Sequence, residues 1–261
     1  MSHNAVSLQE SGNRAFTDEH RAAALAKVNR GRSRLLRFLW EWIKSFQLAI
    51  AAFLIVRAFL VEAFKIPSGS MENTLLVGDF LLVNKLVYGA EVPFTGKRLP
   101  ALRQPRFGDV VIFQWPHDPT RSMVKRLVGE PGDTLAMRDG WLLRNGVRVE
   151  EPYVRHGDLA MDSSAEEFRW QREYLVRTAQ ATVSYSPSRN NWGPIVVPPH
   201  NYFVLGDNRD NSLDSRYWGF VPDTLIKGKP LIVYYSFQPD SSTGRSWLSR
   251  VRWHRIGSRV H

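Results

Sequence analysis

The chain has 261 residues, enough for one large domain or for an anchor joined to a domain of ordinary size. Lys and Arg number 35 against 25 Asp and Glu, a formal charge of +10 that calls for an acidic partner, with nucleic acid and anionic lipid both qualifying. The absence of cysteine excludes disulfides, thiolate zinc sites and a cysteine nucleophile.

Residues 1–37 read as a polar, basic tail with one short helix expected over 21–27. Apolar content then climbs, and the run 46–56 is interrupted only by Gln47. Eleven residues span only about 16 Å as a helix, roughly half a hydrocarbon core, so a crossing helix must recruit its flanks. The span is placed at 38–60, with Trp40 and Trp42 suited to one interface and Arg57 able to snorkel toward the other. Because the window carries charges, a buried core helix and a helix lying in the membrane plane are the competing readings. Lys27, Arg30, Arg32, Arg34 and Arg37 put positive charge before the span, which places the N-terminus in the cytoplasm and residues after about 62 outside.

At 64–71 the chain passes from membrane-like to soluble through a turn. Pro67 removes a backbone donor and Gly69 tolerates positive φ, so Ser68 and Ser70 are presented from a sharply bent backbone. Taken alone, the stretch also reads as a linker between anchor and domain. Three β-type apolar runs follow at 78–89, 108–116 and 123–129, and Asp139-Gly140 and Asn145-Gly146 are hairpin signals. The fold class expected is mainly β, an antiparallel body whose first part covers 61–150. Residues 151–198, charged and turn-rich, read as an inserted smaller β lobe. The body resumes over 199–240, and 241–261 mixes Arg with Trp247 and Trp253, either an interface-resting patch or a solvated tail.

Chemistry has few candidates. The seven His form no i,i+4 pair, which leaves no zinc motif, although His117 and His200 remain available to a triad. The stretch 206–216 looks like a calcium loop at a glance, yet Arg209 occupies a ligand position and Leu213 a place where glycine belongs. Ser122-Met123-Val124-Lys125 fits an S-x-x-K pattern that works on a helix. On a strand the odd spacing sends Ser122 and Lys125 to opposite faces. Lys125 among Val and Leu is either a costly buried ammonium or a lysine on a wet strand face.

Four stretches in one colinear order decide between these readings: Pro67-Ser68-Gly69-Ser70-Met71, 78–85, 124–133 with Gly129-x-Pro131-Gly132-Asp133, and Gly206-Asp207-Asn208-Arg209-Asp210-Asn211-Ser212-x-Asp214-Ser215-Arg216. Together they resemble the bacterial signal peptidase I family over about 55–237. The resemblance implies a membrane-anchored serine endopeptidase that removes signal peptides from exported precursors, cleaving after small residues of Ala-x-Ala type. It makes Ser70 the nucleophile, Lys125 the general base, Ser68 an oxyanion-hole hydroxyl, Ser212 the hydroxyl orienting the lysine, and Asp214 with Arg216 a supporting ion pair. Phe64, Ile66, Met71, Leu75, Leu81, Ile112 and Val124 fall where the family lines two shallow pockets for small residues. Asn73 replaces a usual proline, which is expected to loosen the turn after the nucleophile, and Met123 replaces a common aromatic. No metal or cofactor is called for. The expected partners are signal-peptide-bearing precursors and membrane lipids, anionic ones matching the charge, rather than nucleic acid. The location expected is the inner membrane, with the catalytic body on its periplasmic side. The alternatives are a non-enzymatic envelope binding protein, which leaves the serines and lysine unexplained, and a self-cleaving serine–lysine repressor, which leaves 38–60 unexplained.

Overall fold

The computed structural model describes residues 37–93, 95–157, 166–176, 185–239 and 247–261. The short helix expected over 21–27 and the cations before residue 37 lie outside them. The chain divides into two compact units, Met1–Ile55 and Val56–His261.

Helix α1, Arg37–Leu60, is 24 residues long with a mean hydropathy of 1.8 in its most apolar window, none of which is buried. At 1.5 Å per residue it is about 36 Å long, enough to cross a hydrocarbon core of roughly 30 Å. Its exposed Phe38, Trp40, Trp42, Phe46 and Leu48 rule out the core-helix reading for the described residues, because no protein packs against them. Its last turn, Val56–Leu60, is wound as a π-helix.

The second unit is built from eleven strands: β1 Val61–Lys65, β2 Asp79–Asn84, β3 Val110–Trp115, β4 Asp118–Gly129, β5 Thr134–Arg138, β6 Trp141–Arg144, β7 Val147–Arg148, β8 Trp192–Val196, β9 Asn201–Leu205, β10 Val221–Pro222 and β11 Ile226–Ser236. They pair antiparallel in a seven-stranded sheet of order β1-β2-β11-β3-β4-β9-β10 and a four-stranded sheet of order β7-β6-β5-β8. The mainly antiparallel architecture is thus as the sequence implies. The small sheet takes three strands from 134–148 and only one, 192–196, from within the 151–198 stretch expected to form the smaller lobe, so that lobe begins before residue 151.

Local chemistry explains the elements. Both hairpin signals adopt positive φ at both central positions, Asp139 at 48° with Gly140 at 80°, and Asn145 at 53° with Gly146 at 81°, the twist that suits a two-residue turn. Strand β2 alternates buried and half-buried residues and stops at Asn84, short of the expected 89. There the Asn84 carboxamide oxygen accepts from the Leu86 and Val87 amides and turns the chain into a 3-10 turn. Strand β4 begins at Asp118, five residues before the expected start, because its polar first half pairs with β3 without entering the core. Strand β1 went unread, since its residues continue the apolar run of the helix.

Residues 247–261 are no solvated tail. Gly257 and Val260 donate to the Val233 and Leu231 carbonyls of β11, and Val260 is buried in the same cluster as Ile66, Met71 and Leu81. Arg252 reaches the Val77 and Phe237 carbonyls, while Arg255 binds the Asp79 carboxylate at 2.6 Å and the Thr74 carbonyl at 3.0 Å.

Gly129 ends β4 where the two sheets meet. A Cβ there would collide with Leu135 and press on Val197 and Phe203, all fully buried or nearly so. Gly129→Ala is expected to destabilise the body by about 1–3 kcal/mol through overpacking. Urea unfolding of the purified variant checks this, and an unchanged midpoint would contradict it.

Candidate active site

The serine turn is a short 3-10 helix, Gly69–Met71, entered through Ser68 in an extended conformation. The Glu72, Thr74 and Leu75 amides fold back on the Gly69 and Met71 carbonyls and fix the turn. Ser68 caps this turn without spending its hydroxyl on it, and the Ser70 amide lies where a helix's first N–H groups lack an acceptor within the helix. Asn208 clamps the turn from the far side, its amide donating to the Ser70 carbonyl at 3.1 Å and its carboxamide to the Gly69 carbonyl at 3.2 Å.

Lys125 comes from β4, 55 residues later, and its Nζ donates to Ser70 Oγ at 2.6 Å. It is 2% exposed. Burial pushes its pKa down to about 8 from 10.5; Asp214 and Asp207 pull it back and Arg216 adds to the fall. Those neighbours belong to two buried bidentate ion pairs. Arg126, next to Lys125, grips Asp207 at 2.7 and 2.8 Å, and Arg216 grips Asp214 at 2.8 and 2.9 Å. Burial alone would raise the Asp214 pKa, but Arg216 overrides it and holds the carboxyl below its usual value. Both pairs are therefore fixed charges of opposite sign that cancel close to the lysine.

A cleft of about 270 Å³ opens beside the dyad, bordered by Phe64, Ile66, Ser68 and Met71 on one side and by Arg121 to Lys125 on the other. Its position follows from strand pairing. Strand β1 ends the sheet, and β4 pairs with β9 only from Arg126 onward, so both strands present an unpaired edge to the cleft. This is why Ser122 and Lys125, one exposed and one buried, both border it despite their odd spacing. No hydrogen bond joins them.

Four of the seven expected pocket residues, Phe64, Ile66, Met71 and Val124, line the cleft. Leu75 and Leu81 are fully buried in the hydrophobic cluster behind them, and Ile112 borders a second cavity. Ser212 is buried against Gly206, with its hydroxyl lacking a hydrogen-bond partner among the described residues. A Cβ on Gly206 would collide with Ser212, so glycine is required where these two stretches meet. Asn73 does not loosen the turn. Its backbone sits at φ 98°, closed to proline's ring, and its carboxamide donates to the Tyr153 carbonyl at 3.0 Å. Neither His117 nor His200 touches the dyad: His117 meets the Trp218 carbonyl and His200 meets Asp223.

A family described as "Signal peptidase, peptidase S26" matches residues 39–235, about three-quarters of the chain. The chain belongs to the S26 signal peptidase family. Among its relatives, a signal peptidase I of Pseudomonas aeruginosa is 38% identical over 88% of this chain and 82% of its own. One of Pseudomonas fluorescens is 40% identical over 82% and 78%, and one of Aquifex aeolicus 35% identical over 75% and 84%. A signal peptidase I structure from Enterococcus faecalis V583 covers 49% of this chain and 98% of its own at 28% identity, with a TM-score of 0.33, too low to add to the assignment. The family match stops at 235, so the docked residues 247–261 lie beyond it.

The lowered pKa of Lys125 carries a stability cost with a definite sign. Folding favours the neutral amine, so between about pH 8 and 10.5 the unfolded chain binds more protons and stability rises with pH. Below 8 the full cost of about 3 kcal/mol applies. Lys125→Met is expected to stabilise the protein most below pH 8, with the gain shrinking toward pH 10.5. Urea midpoints of variant and parent across that range measure it, and a pH-independent difference would contradict it.

Proposed function

We propose that the protein is a membrane-anchored serine endopeptidase that removes signal peptides from exported precursors, with Ser70 and Lys125 as its catalytic dyad. The observation that carries this reading is the 2.6 Å contact between Ser70 Oγ and a lysine that burial has brought down to about 8. At neutral pH roughly a tenth of the molecules then hold a neutral amine, where an ordinary lysine would offer fewer than one in a thousand. The neutral Lys125 lone pair takes the Ser70 proton, and Oγ attacks the scissile carbonyl. Negative charge gathers on the carbonyl oxygen within reach of the Ser70 amide and the Ser68 hydroxyl. The ammonium returns its proton to the leaving amine, and water, activated in turn by Lys125, releases the ester. Ser212, buried against Gly206, supplies the hydroxyl that orients the lysine, and the Asp214–Arg216 pair steadies the charge around it.

The precursor enters as an added strand. The two unpaired edges along the cleft offer main-chain hydrogen bonds, and a strand laid between them sends alternate side chains into the apolar wall of Ile66, Met71 and Val124. Helix α1 holds the enzyme in the membrane that also holds the signal segment, which raises the encounter rate. The positive flank before α1 keeps the N-terminus in the cytoplasm of a bacterial inner membrane and the body outside, against a surface of anionic lipid that matches the basic chain.

Cleavage of a precursor by detergent-purified protein tests the dyad. Ser70→Ala and Lys125→Arg are both expected to lose turnover, the second because guanidinium keeps its proton. His117→Gln and His200→Gln should stay within about threefold, well under 1 kcal/mol of barrier. The acid limb of kcat/KM should fall near the lysine's value of about 8. Near-normal hydrolysis by Lys125→Arg would remove it as the base.

Topology has a separate check. Protease added outside spheroplasts should digest the body and spare an epitope placed at residue 5. Digestion of that epitope would reverse the orientation.

A further inference from the structure

Residues 151–155, which follow β7, form a strap tied down at every second position. Glu151 accepts from the Arg209 guanidinium at 2.6 Å, and the Tyr153 carbonyl accepts from the Asn73 carboxamide at 3.0 Å. The Arg155 amide donates to the Asp207 carbonyl at 2.8 Å, and the Arg209 amide donates to the Arg155 carbonyl at 3.0 Å. Arg155 also pairs with Glu72 at 3.2 Å. Every partner belongs either to the 206–216 stretch or to the residues just after Ser70. The chemistry of the dyad leaves this strap without a part.

Its anchors fix the Tyr153 ring over one particular charge. The ring centroid lies 3.7 Å from the central carbon of the Arg126 guanidinium, a close cation–π contact. The edges of that guanidinium are already spent: on both Asp207 oxygens at 2.7 and 2.8 Å, on the Gly108 carbonyl at 2.8 Å, on the Thr74 hydroxyl at 3.2 Å and on the His261 carbonyl at 3.0 Å. Only its faces are left to cover. Arg126 and Asp207 are buried, while Tyr153 is half-buried, so the ring stands between the ion pair and solvent. Burial pushes the Tyr153 hydroxyl up, and it keeps its proton and donates to Glu151 at 3.0 Å.

We propose that Tyr153 is a positioning residue of the dyad: its ring roofs the Arg126–Asp207 pair and keeps water out of the ground beside Lys125. Lys125 precedes Arg126 in β4, touches Ser70 Oγ, and feels the charges of Asp207, Asp214 and Arg216. Burial is the chief cause of its lowered pKa, and Asp207 pulls the other way. Water admitted where the ring stands would hydrate the ammonium and loosen the hold of Arg126 on Asp207. Both changes favour the protonated lysine, so losing the roof takes neutral base away from Ser70.

This inference rests on the peptidase reading, and one set of pH profiles separates the two. The full chain in detergent cleaves a secretory precursor across roughly pH 6 to 10, as parent, Tyr153→Ala and Tyr153→Phe, and kcat/KM is followed. A parent that fails to cleave overturns the peptidase reading and the inference with it. With the parent active, Tyr153→Ala is expected to move the acid limb up by about 0.5–1 pH unit, so that kcat/KM falls roughly three- to tenfold at neutral pH and recovers toward the alkaline end. Tyr153→Phe keeps the ring and loses only the bond to Glu151, and it should restore the limb to within about 0.2 unit of the parent. An unmoved limb in the folded Ala variant, an equal shift in the Phe variant, or a loss of the same size at every pH overturns the proposal, the last by marking a merely structural prop. Where circular dichroism shows Tyr153→Ala unfolded, Asn73→Gly decides: it frees the Tyr153 carbonyl at a backbone position that glycine suits, φ 98°. Its limb is expected to rise by at least about 0.3 unit, and an unmoved limb overturns the proposal.

Discussion

An amine kept dry against a serine hydroxyl is the constraint around which the body is arranged. A lone lysine in an apolar strand would either drag water in or unfold its surroundings. Here the adjacent residue, Arg126, is locked onto Asp207, and Arg216 onto Asp214, so that every other charge near Lys125 is already neutralised. The remaining asymmetry is burial, which lowers the lysine without trapping it in an ion pair of its own. A carboxylate in direct contact would have done the opposite and kept the proton on. The cost in stability is borne by three hydrophobic clusters that surround the strand on both faces.

Legibility in the sequence followed the range of the forces involved. Turn residues announced the two hairpins, since Asp-Gly and Asn-Gly act within four residues, and runs of Val and Ile marked β3 and the inner half of β4. Ser70 and Lys125 were found because their local settings are unusual and their order matches a family. The supports of that pair were not. Arg126 with Asp207, Arg209 with Glu151, and Asn73 with the Tyr153 carbonyl join residues 58 to 81 positions apart, and nothing in either partner's neighbourhood points to the other. Proximity of Lys125 to Arg126 in the chain hid the fact that one faces the serine and the other a buried carboxylate. Ile112 borders a cavity whose polar walls come from β1, β3, β11 and the 85–98 region, which only the sheet brings together.

Half-pairing of β4 connects fold to chemistry. From Arg126 onward the strand is hydrogen-bonded on both sides and rigid, which fixes the lysine; before it, one edge stays open. An open edge is an aggregation hazard unless something protects it. Here the polar, exposed Arg121 and Ser122 stand on that edge.

The docked residues 247–261 give the enzyme a particular order of assembly. Arg255 holds the Thr74 carbonyl and Asp79 across more than 170 positions, and the His261 carbonyl accepts from Arg126 across 135. Contacts so distant along the chain form late, because their loops are costly to close. The turn bearing Ser70 is therefore among the last parts of the body to be set during folding.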